Sequence, residues 1–329
     1  RYTDKLLAQV TLPGDYNAYI SQWQNAYAIS NQGIELQIKA DFVRSEKLHW
    51  DFSFNIARNW NRFEKSNNGM DFTNLASKHN LNIIGKPLNG IYVYNDQGYY
   101  NSQDEVPLYY VNGRRKYLSS LGNQIYTPGD RRIQDVDGNG QVATMVPLLE
   151  DRVYGGSPLP LAFGGIATTL KWKGIDVNLL FSYKLGRHVL NAGRGASVGT
   201  ILRANTAEMM VPILADLDKV SFWQKPGDNT DFPINELENG KNNFATNLKS
   251  NVEKINYLKL KSISIGYTLP VFPKQSKHYA RVFMSVENMF TITNSSSPDP
   301  ESIDIVTGVD SNNNYPLATR YTLGLTLNL

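Results

Sequence analysis

The sequence predicts an all-β fold, a transmembrane antiparallel β-barrel, on three observations. Apolar and polar residues alternate with period two over long runs. These runs reach about 11–15 residues, against a usual strand of about 5–6, and are long enough to cross a bilayer at a tilt. The connections between them alternate short and long, as in barrels with tight turns on one side of the membrane and long loops on the other.

A weaker strand is expected over 3–10. In 29–42, Ile34, Leu36, Ile38, Ala40 and Phe42 share one face, and Glu35, Gln37, Lys39 and Asp41 the other. In 48–60, Leu48, Trp50, Phe52, Phe54 and Ile56 oppose His49, Asp51, Ser53 and Asn55. A strand over 161–172 meets one over 175–185 across Lys173-Gly174, and in the second Ile175, Val177, Leu179, Phe181, Tyr183 and Leu185 form the apolar set. Strands over 255–269 and 279–291 follow, joined by PVFPKQSKH. In the first of these, Leu258 and Leu260 lie on one parity and Ile263, Ile265, Tyr267 and Leu269 on the other, so a bulge or strand end is expected near Ser262. The last strand is YTLGLTLNL, 321–329.

The segments between are about 61–160, 186–254 and 292–316. A soluble sandwich also alternates, but loops longer than ~12–15 residues are uncommon in compact domains. No window approaches the ~20 apolar residues of a membrane helix, which leaves a barrel open. Trp50, Trp60, Trp172, Tyr183, Tyr267, Tyr279 and Tyr321 suit an interfacial aromatic girdle or ordinary strand propensity. Eight strands close only a small barrel filled by side chains. The polar sets here sit more easily against a wide wet lumen, so the eight are expected to be part of a larger wall.

At 329 residues the length suits one large domain or two ordinary ones. The 33 Lys+Arg nearly balance the 30 Asp+Glu, so no basic excess points to nucleic acid. No cysteine is present, which excludes disulfides and thiolate metal sites. The chain begins at Arg1, without Met or a signal peptide, so it is expected to be a mature product, a cleavage product or part of a longer chain.

DVDGNGQ carries oxygen ligands at alternate positions and a glycine at Gly140, the opening of a calcium loop. Asp135, Asp137, Asn139 and the Gln141 carbonyl are the candidate ligands, with Asp151 or Glu150 folding back to close the site. The plain alternative is an acidic turn in which Gly138 and Gly140 supply positive φ. No helical flanks suggest a sensor. His49, His79, His188 and His278 are scattered without metal spacing. No G-x-S-x-G, H-E-x-x-H or phosphate loop occurs. Asp135 with Asp137, or Glu150 with Asp151, could form a glycosidase pair, but neighbouring loop acids are more often solvated or metal ligands. The sequence therefore reads as non-enzymatic. Tyr92, Tyr94, Tyr99, Tyr100, Tyr109, Tyr110, Tyr117 and Tyr126 crowd the first long segment, to grip a sugar, a peptide or a lid protein, or to pack the loop on itself.

Several stretches, in order, carry a resemblance. DKLLAQVTLP, WQNAYAISNQGIELQI (Asn31, Gly33, Ile34, Glu35, Leu36) and WDFSFNIARNWNRF come first. PGDRRIQDVDGNGQV, then Asp151-Arg152-Val153-Tyr154-Gly155 with Pro160, and FWQKPGDNTDFP follow. NYLKLKSISIGYTLP, RVFMSVENMFTIT with Asn288, PDPES and YPLATRYTLGLTLNL complete the run. Together they resemble SusC/RagA-type TonB-linked outer-membrane transporters over nearly the whole chain. Two departures stand out. The last residue is Leu329 rather than an aromatic one. Val146 stands where the family's calcium-like loop places an acid, and Ala143–Pro147 look like an insertion.

The resemblance implies a plugged barrel of the 22-stranded type, of which residues 1–329 would be the carboxy-terminal part, about its last eight strands, with long extracellular loops. It implies a plug and earlier strands before Arg1, and residence in the bacterial outer membrane. It implies import of oligosaccharides or peptides, a SusD-like surface lipoprotein as lid, and TonB engaged through an upstream segment. A SusC-like barrel serving as a structural subunit of a larger outer-membrane assembly fits the same residues. From another class, a secreted β-sandwich enzyme or carbohydrate-binding module would require two soluble sheets and a carboxylate cleft.

Overall fold

The computed structural model describes residues 1–11, 21–45, 47–66, 72–73, 79–120, 123–142, 150–193, 221–234, 245–269, 279–311 and 315–328. One antiparallel sheet dominates them, its eight long strands following chain order. They are β1 (Tyr2–Thr11), β2 (Ser21–Arg44), β3 (Leu48–Ser66), β4 (Ala162–Trp172), β5 (Ile175–Asn191), β6 (Val252–Leu269), β7 (Tyr279–Thr293) and β8 (Arg320–Asn328). The eight strands are the ones alternation predicts. β2, β3 and β5 run longer than expected, because their polar ends continue pairing beyond the apolar stretch. The first two long loops are correspondingly shorter than expected, 67–161 and 192–251, and the third covers 294–319. β1 and β8 do not pair with one another among the described residues, so the sheet is open. No described helix is long and apolar enough to cross a membrane.

Side chains directly opposite one another in a sheet share a face, so the register can be read as rows. Ile38, Phe54, Ile166, Phe181, Leu260 and Phe290 form one row across β2–β7. Val43, Trp50, Leu170, Val177, Ile265, Met284 and Leu323 form another across β2–β8. On the opposite face run Asp41, Asp51, Thr169, Asn178, Ser264, Ser285 and Thr322. The apolar rows are left open: Ile265 is 50% exposed, Met284 49% and Leu323 79%. A continuous apolar band of this extent is not a water-facing surface of an ordinary soluble monomer.

The expected break in β6 is a bulge. Leu180 pairs with Ser262 while Phe181 pairs with Leu260, leaving Lys261 as the extra residue. That single residue keeps Leu258 and Leu260 on the same face as Ile263, Ile265 and Tyr267, whose parity differs. On β7 the matching irregularity takes in Asn288, which has φ 53°, a left-handed conformation that Asn tolerates.

At the short-turn end, β4 and β5 meet through Lys173 (φ 47°) and Gly174 (φ 88°), with Trp172 opposite Ile175. Two successive positive φ values are those of a two-residue hairpin turn that matches strand twist. Between β2 and β3, the Ser45 and Leu48 backbones bond at 2.8 Å. The connection expected over Pro270–His278, and Leu329, lie outside the described residues. Of the aromatic girdle, Trp172 and Tyr267 flank the turn end. Tyr321 pairs with Val286 inside the apolar band. Tyr183 is nearly buried, because its ring lies beside Gly164 and its hydroxyl donates to the Asn55 carbonyl at 2.8 Å.

A Cβ on Gly164 would stand 2.0 Å from the Asn55 carbonyl oxygen and 2.8 Å from the Tyr183 hydroxyl. Gly164→Val is expected to destabilise the wall by about 3 kcal/mol or more, read as a lowered urea midpoint of the full-length protein. An unchanged midpoint would contradict the packing described.

Candidate functional site

The first long loop folds into small sheets of its own at the loop end of the wall. Arg152–Gly156, Gly90–Tyr94, Asn80–Ile83 and Phe72–Thr73 form one, and Leu108–Val111 pairs with Arg114–Tyr117 in a hairpin. Tyr94, Tyr100, Val106, Leu118, Tyr126, Ile133, Val142 and Leu248 make its core, with Tyr109 and Tyr117 packed against it. Most of the loop tyrosines therefore pack the loop on itself. Tyr110, 73% exposed, projects beside Arg115. The three long loops are tied together by hydrogen bonds: Tyr94 N–H to the Asn247 carbonyl at 2.9 Å joins the first and second, and the Asn80 side-chain amide to the Thr307 carbonyl at 2.8 Å joins the first and third.

The acidic turn lies on the rim of this core. Asp135 accepts the Gly138 and Gly140 N–H groups, each at 2.8 Å, and Gly138 and Gly140 adopt φ 75° and 80°. Asp137 accepts from Asn139 through both the backbone and side-chain nitrogens, at 3.0 and 2.7 Å. Asp151 does fold back: it is buried and accepts the Val136 N–H at 2.8 Å, whereas Glu150 is exposed. One carboxylate oxygen from each of Asp135, Asp137 and Asp151 lies within 4.8 Å of the others. Asn139 is engaged within the turn, its amide oxygen accepting the Gln141 N–H at 2.7 Å. Gln141 turns its side chain to Asn123, 2.9 Å away, and its backbone joins the parallel pair with Ser119. A Cβ on Gly140 would stand 3.2 Å from the Tyr109 ring, whose phenol is pushed up to about 12, by burial first and then by its hydrogen bond to Asp135. Three hard oxygen donors converge, fewer than the ~6–8 that calcium takes. The donor type fits such an ion, and carbonyl or water oxygens would have to complete the shell.

A second charged group lies where the polar face meets the third loop. Lys259, buried on β6, sits 2.9 Å from Asp299 and 3.1 Å from Glu301, and Lys261 is 2.9 Å from Glu301. Asp299 also accepts the Glu301 N–H at 3.0 Å and the Leu317 N–H at 3.1 Å. Burial alone would raise the Asp299 and Glu301 carboxyls. Hydrogen bonds from Lys259 and backbone amides for Asp299, and from Lys261 and Lys259 for Glu301, outweigh it and hold both below the usual range. Nearby, fully buried Arg187 donates to the carbonyls of Pro158 (3.0 Å), Ile303 (3.4 Å) and Asp304. It thereby joins the first and third loops to β5. Neither group was read from the sequence as a site. The run PDPES marked the right segment, but a lysine on the polar parity of a strand gives no sign of its burial.

A cleft of about 530 Å³ opens between the first and second loops, with Asp96, Tyr99, Arg131, Asp228, Asp231 and Phe232 among its walls. Asp96 is paired with Arg131 at 2.9 Å and accepts the Ser250 N–H at 2.9 Å. His49 stands 3.5 Å from Asp51 on the polar face, apart from His79 and His188, and His278 lies outside the described residues. Among the described residues, the acidic turn is the one place where three potential metal ligands converge.

With this geometry in view, no protein-family model matches the chain. The TonB-dependent receptor P3 of Formosa agariphila is 27% identical over 99% of the chain and 31% of its own length. The TonB-dependent receptor SusC of Bacteroides thetaiotaomicron is 23% identical over 99% of the chain and 29% of its own. The structure of the RagAB peptide transporter superposes with a TM-score of 0.66 at 21% identity, covering 99% of this chain and 32% of that one. The chain is SusC/RagA-like. The SusC/RagA-like chain spans about a third of the length of these relatives. They are described as receptors or a transporter, in line with a sequence that carries no catalytic motif.

Lys259→Met leaves two carboxylates facing a buried methyl group and is expected to cost roughly 3–5 kcal/mol. It should release the 299–310 segment, measured by amide hydrogen exchange. In the unsubstituted protein, the two depressed carboxyl groups stabilise the fold above their ordinary range, about pH 4. That contribution is lost as pH falls through their lower folded values. Protection of 299–310 should therefore hold from neutral pH to about 5 and decline below about 4.

Proposed function

We propose that the chain is the carboxy-terminal wall of a plugged outer-membrane barrel of the 22-stranded type that imports oligosaccharides or peptides. In this reading its energy comes through TonB, engaged by an upstream segment, and a SusD-like surface lipoprotein closes over the loops. One observation carries it: an exposed apolar band runs in register across the long strands, backed by polar rows, with the long loops gathered at one end. Lipid is the surrounding that makes such a band favourable, and its alternation with a wet face is the pattern of a membrane barrel. Relatives described as TonB-dependent receptors, and the fold of a peptide transporter, support the assignment.

The chain's own groups supply positioning rather than covalent chemistry. The polar rows line the lumen. The aromatic core holds the first loop rigid, and Lys259, Lys261 and Arg187 hold the third loop against the wall. A preformed outward surface of this kind suits a lid protein. Deletion of the full-length gene is expected to abolish growth on an oligosaccharide or peptide mixture as sole nutrient, and in the undeleted strain the protein should be found in the outer-membrane fraction. Correct insertion with unchanged growth and uptake would favour a structural subunit instead.

We also propose that the acidic turn takes calcium, with Asp135, Asp137 and Asp151 as carboxylate ligands and Asn139 and Gln141 shaping the turn. An ion there would relieve repulsion between three close carboxylates and stiffen the rim beneath the lid. Asp151→Asn is expected to weaken terbium binding about tenfold, read by luminescence sensitised from neighbouring tyrosines, while Glu150→Gln leaves it unchanged. Equal effects of the two substitutions would assign the turn a purely structural role.

A further inference from the structure

The wall has a notch. β4 stops at Ala162, whereas β3 continues to Ser66 and β5 to Asn191. The last pairs are Phe163 with Ala57 and Ala162 with Leu185. Beyond them, the segment Tyr154–Leu161 bridges the gap, held by Leu161 N–H to the Leu185 carbonyl at 2.8 Å and His188 N–H to the Ser157 carbonyl at 3.0 Å. A groove of about 440 Å³ remains, lined by Arg58, Trp60, Tyr154, Leu161, His188 and neighbours. Two glycines allow its shape. A Cβ on Gly156 (φ 139°) would stand 2.2 Å from the His188 ring, and one on Gly186 (φ 68°) 2.6 Å from Leu161.

Its position is the informative feature. Arg58 and Trp60 share the parity of Phe54 and Ile56, so they continue the apolar face of β3 past its last aliphatic residue, toward the loop end. The Arg58 guanidinium lies 4.8 Å over the Trp60 ring. Among the described residues it pairs with no carboxylate, and no carboxylate lines the groove. The larger cleft between the loops is walled by Asp96, Asp228 and Asp231 and is the wrong sign for an anion. Around the notch, exposed Leu161, Leu185 and Ile34 provide apolar surface. An unpaired guanidinium and an indole at the edge of an apolar band, beside a recess with apolar walls, complement a phosphate joined to acyl chains.

We propose that this notch binds the phosphate-bearing headgroup of a membrane lipid, with Arg58 and Trp60 recognising the phosphate and the adjoining apolar rows carrying the chains. The inference rests on the membrane reading of the apolar band. It concerns the lipid-facing side of the wall, away from any transported substrate. Arg58 offers two parallel N–H donors to phosphate oxygens, and Trp60 holds the guanidinium plane in place.

The test is native mass spectrometry of the detergent-solubilised full-length protein with dioleoyl phosphatidic acid, with dioleoylglycerol as the phosphate-free control, and with inorganic phosphate. The expected result is retention of phosphatidic acid in preference to dioleoylglycerol. Arg58→Gln should lower its apparent affinity about tenfold, and Trp60→Leu should lower it less. Arg44→Gln, at the opposite end of the wall and 82% exposed, should leave it unchanged. Equal retention of the two lipids, an unaffected Arg58→Gln variant, or inorganic phosphate bound as tightly as the lipid would overturn the proposal. Fractionation of the same cells separates the two levels. Protein absent from the outer membrane undermines the membrane reading itself, whereas inserted protein without a phosphate preference undermines only the headgroup site.

Discussion

Everything in this molecule depends on register. Each inner wall strand bonds to a neighbour on either side, and the pairing sets which side chains lie on which face. Ile166 belongs to the apolar band because it stands opposite Phe54 on one side and Phe181 on the other. The same bonds satisfy the backbone, a necessity wherever no water reaches it. Among the described residues two open edges remain, at β1 and β8. The exposed leucines of β8 beside an unpaired edge make it a surface that continued pairing would cover.

The loop end obeys a different rule. Its segments have little regular pairing to share, so they gain stability by burying large side chains and by anchoring charges. Three tyrosines almost fully removed from solvent, Tyr94, Tyr100 and Tyr126, do the first. Arg187, donating to the backbone carbonyls of Pro158, Ile303 and Asp304, does the second. It replaces the strand pairing that irregular chain lacks. Arg187 lies in the part of β5, 186–191, that outruns the apolar stretch.

The wall was legible because alternation is a local signal repeated many times, and errors in one strand are corrected by its neighbours. The bulge near Ser262 was legible for the same reason, as a change of parity in an otherwise regular run. The strand ends were not: residues 186–191 carry little alternation, and they extend β5 through contacts with distant chain, Gly308 among them. The acidic turn was visible as spacing, and Asp151 was one of two possible closers. Burial chose between them, and burial is a tertiary property. The link from Lys259 to Asp299 spans 40 positions and has no signature in either local sequence. The notch at Arg58 follows from the unequal lengths of β3, β4 and β5, which no single strand reveals.

The bulge at Lys261 has a consequence for how such a wall can change over generations. Elsewhere, gaining or losing one residue within a strand would turn all that follows inside out, exchanging Ile265 for Gly266 and Tyr267 for Thr268 on the apolar side. At the bulge the two halves of β6 are already out of phase and rejoined. That point is a seam, where the ladder accommodates a change in count without exchanging its faces. Length variation in this wall should therefore collect at seams and in loops, and the apolar stretches between them should keep a fixed number of residues even where their identities drift.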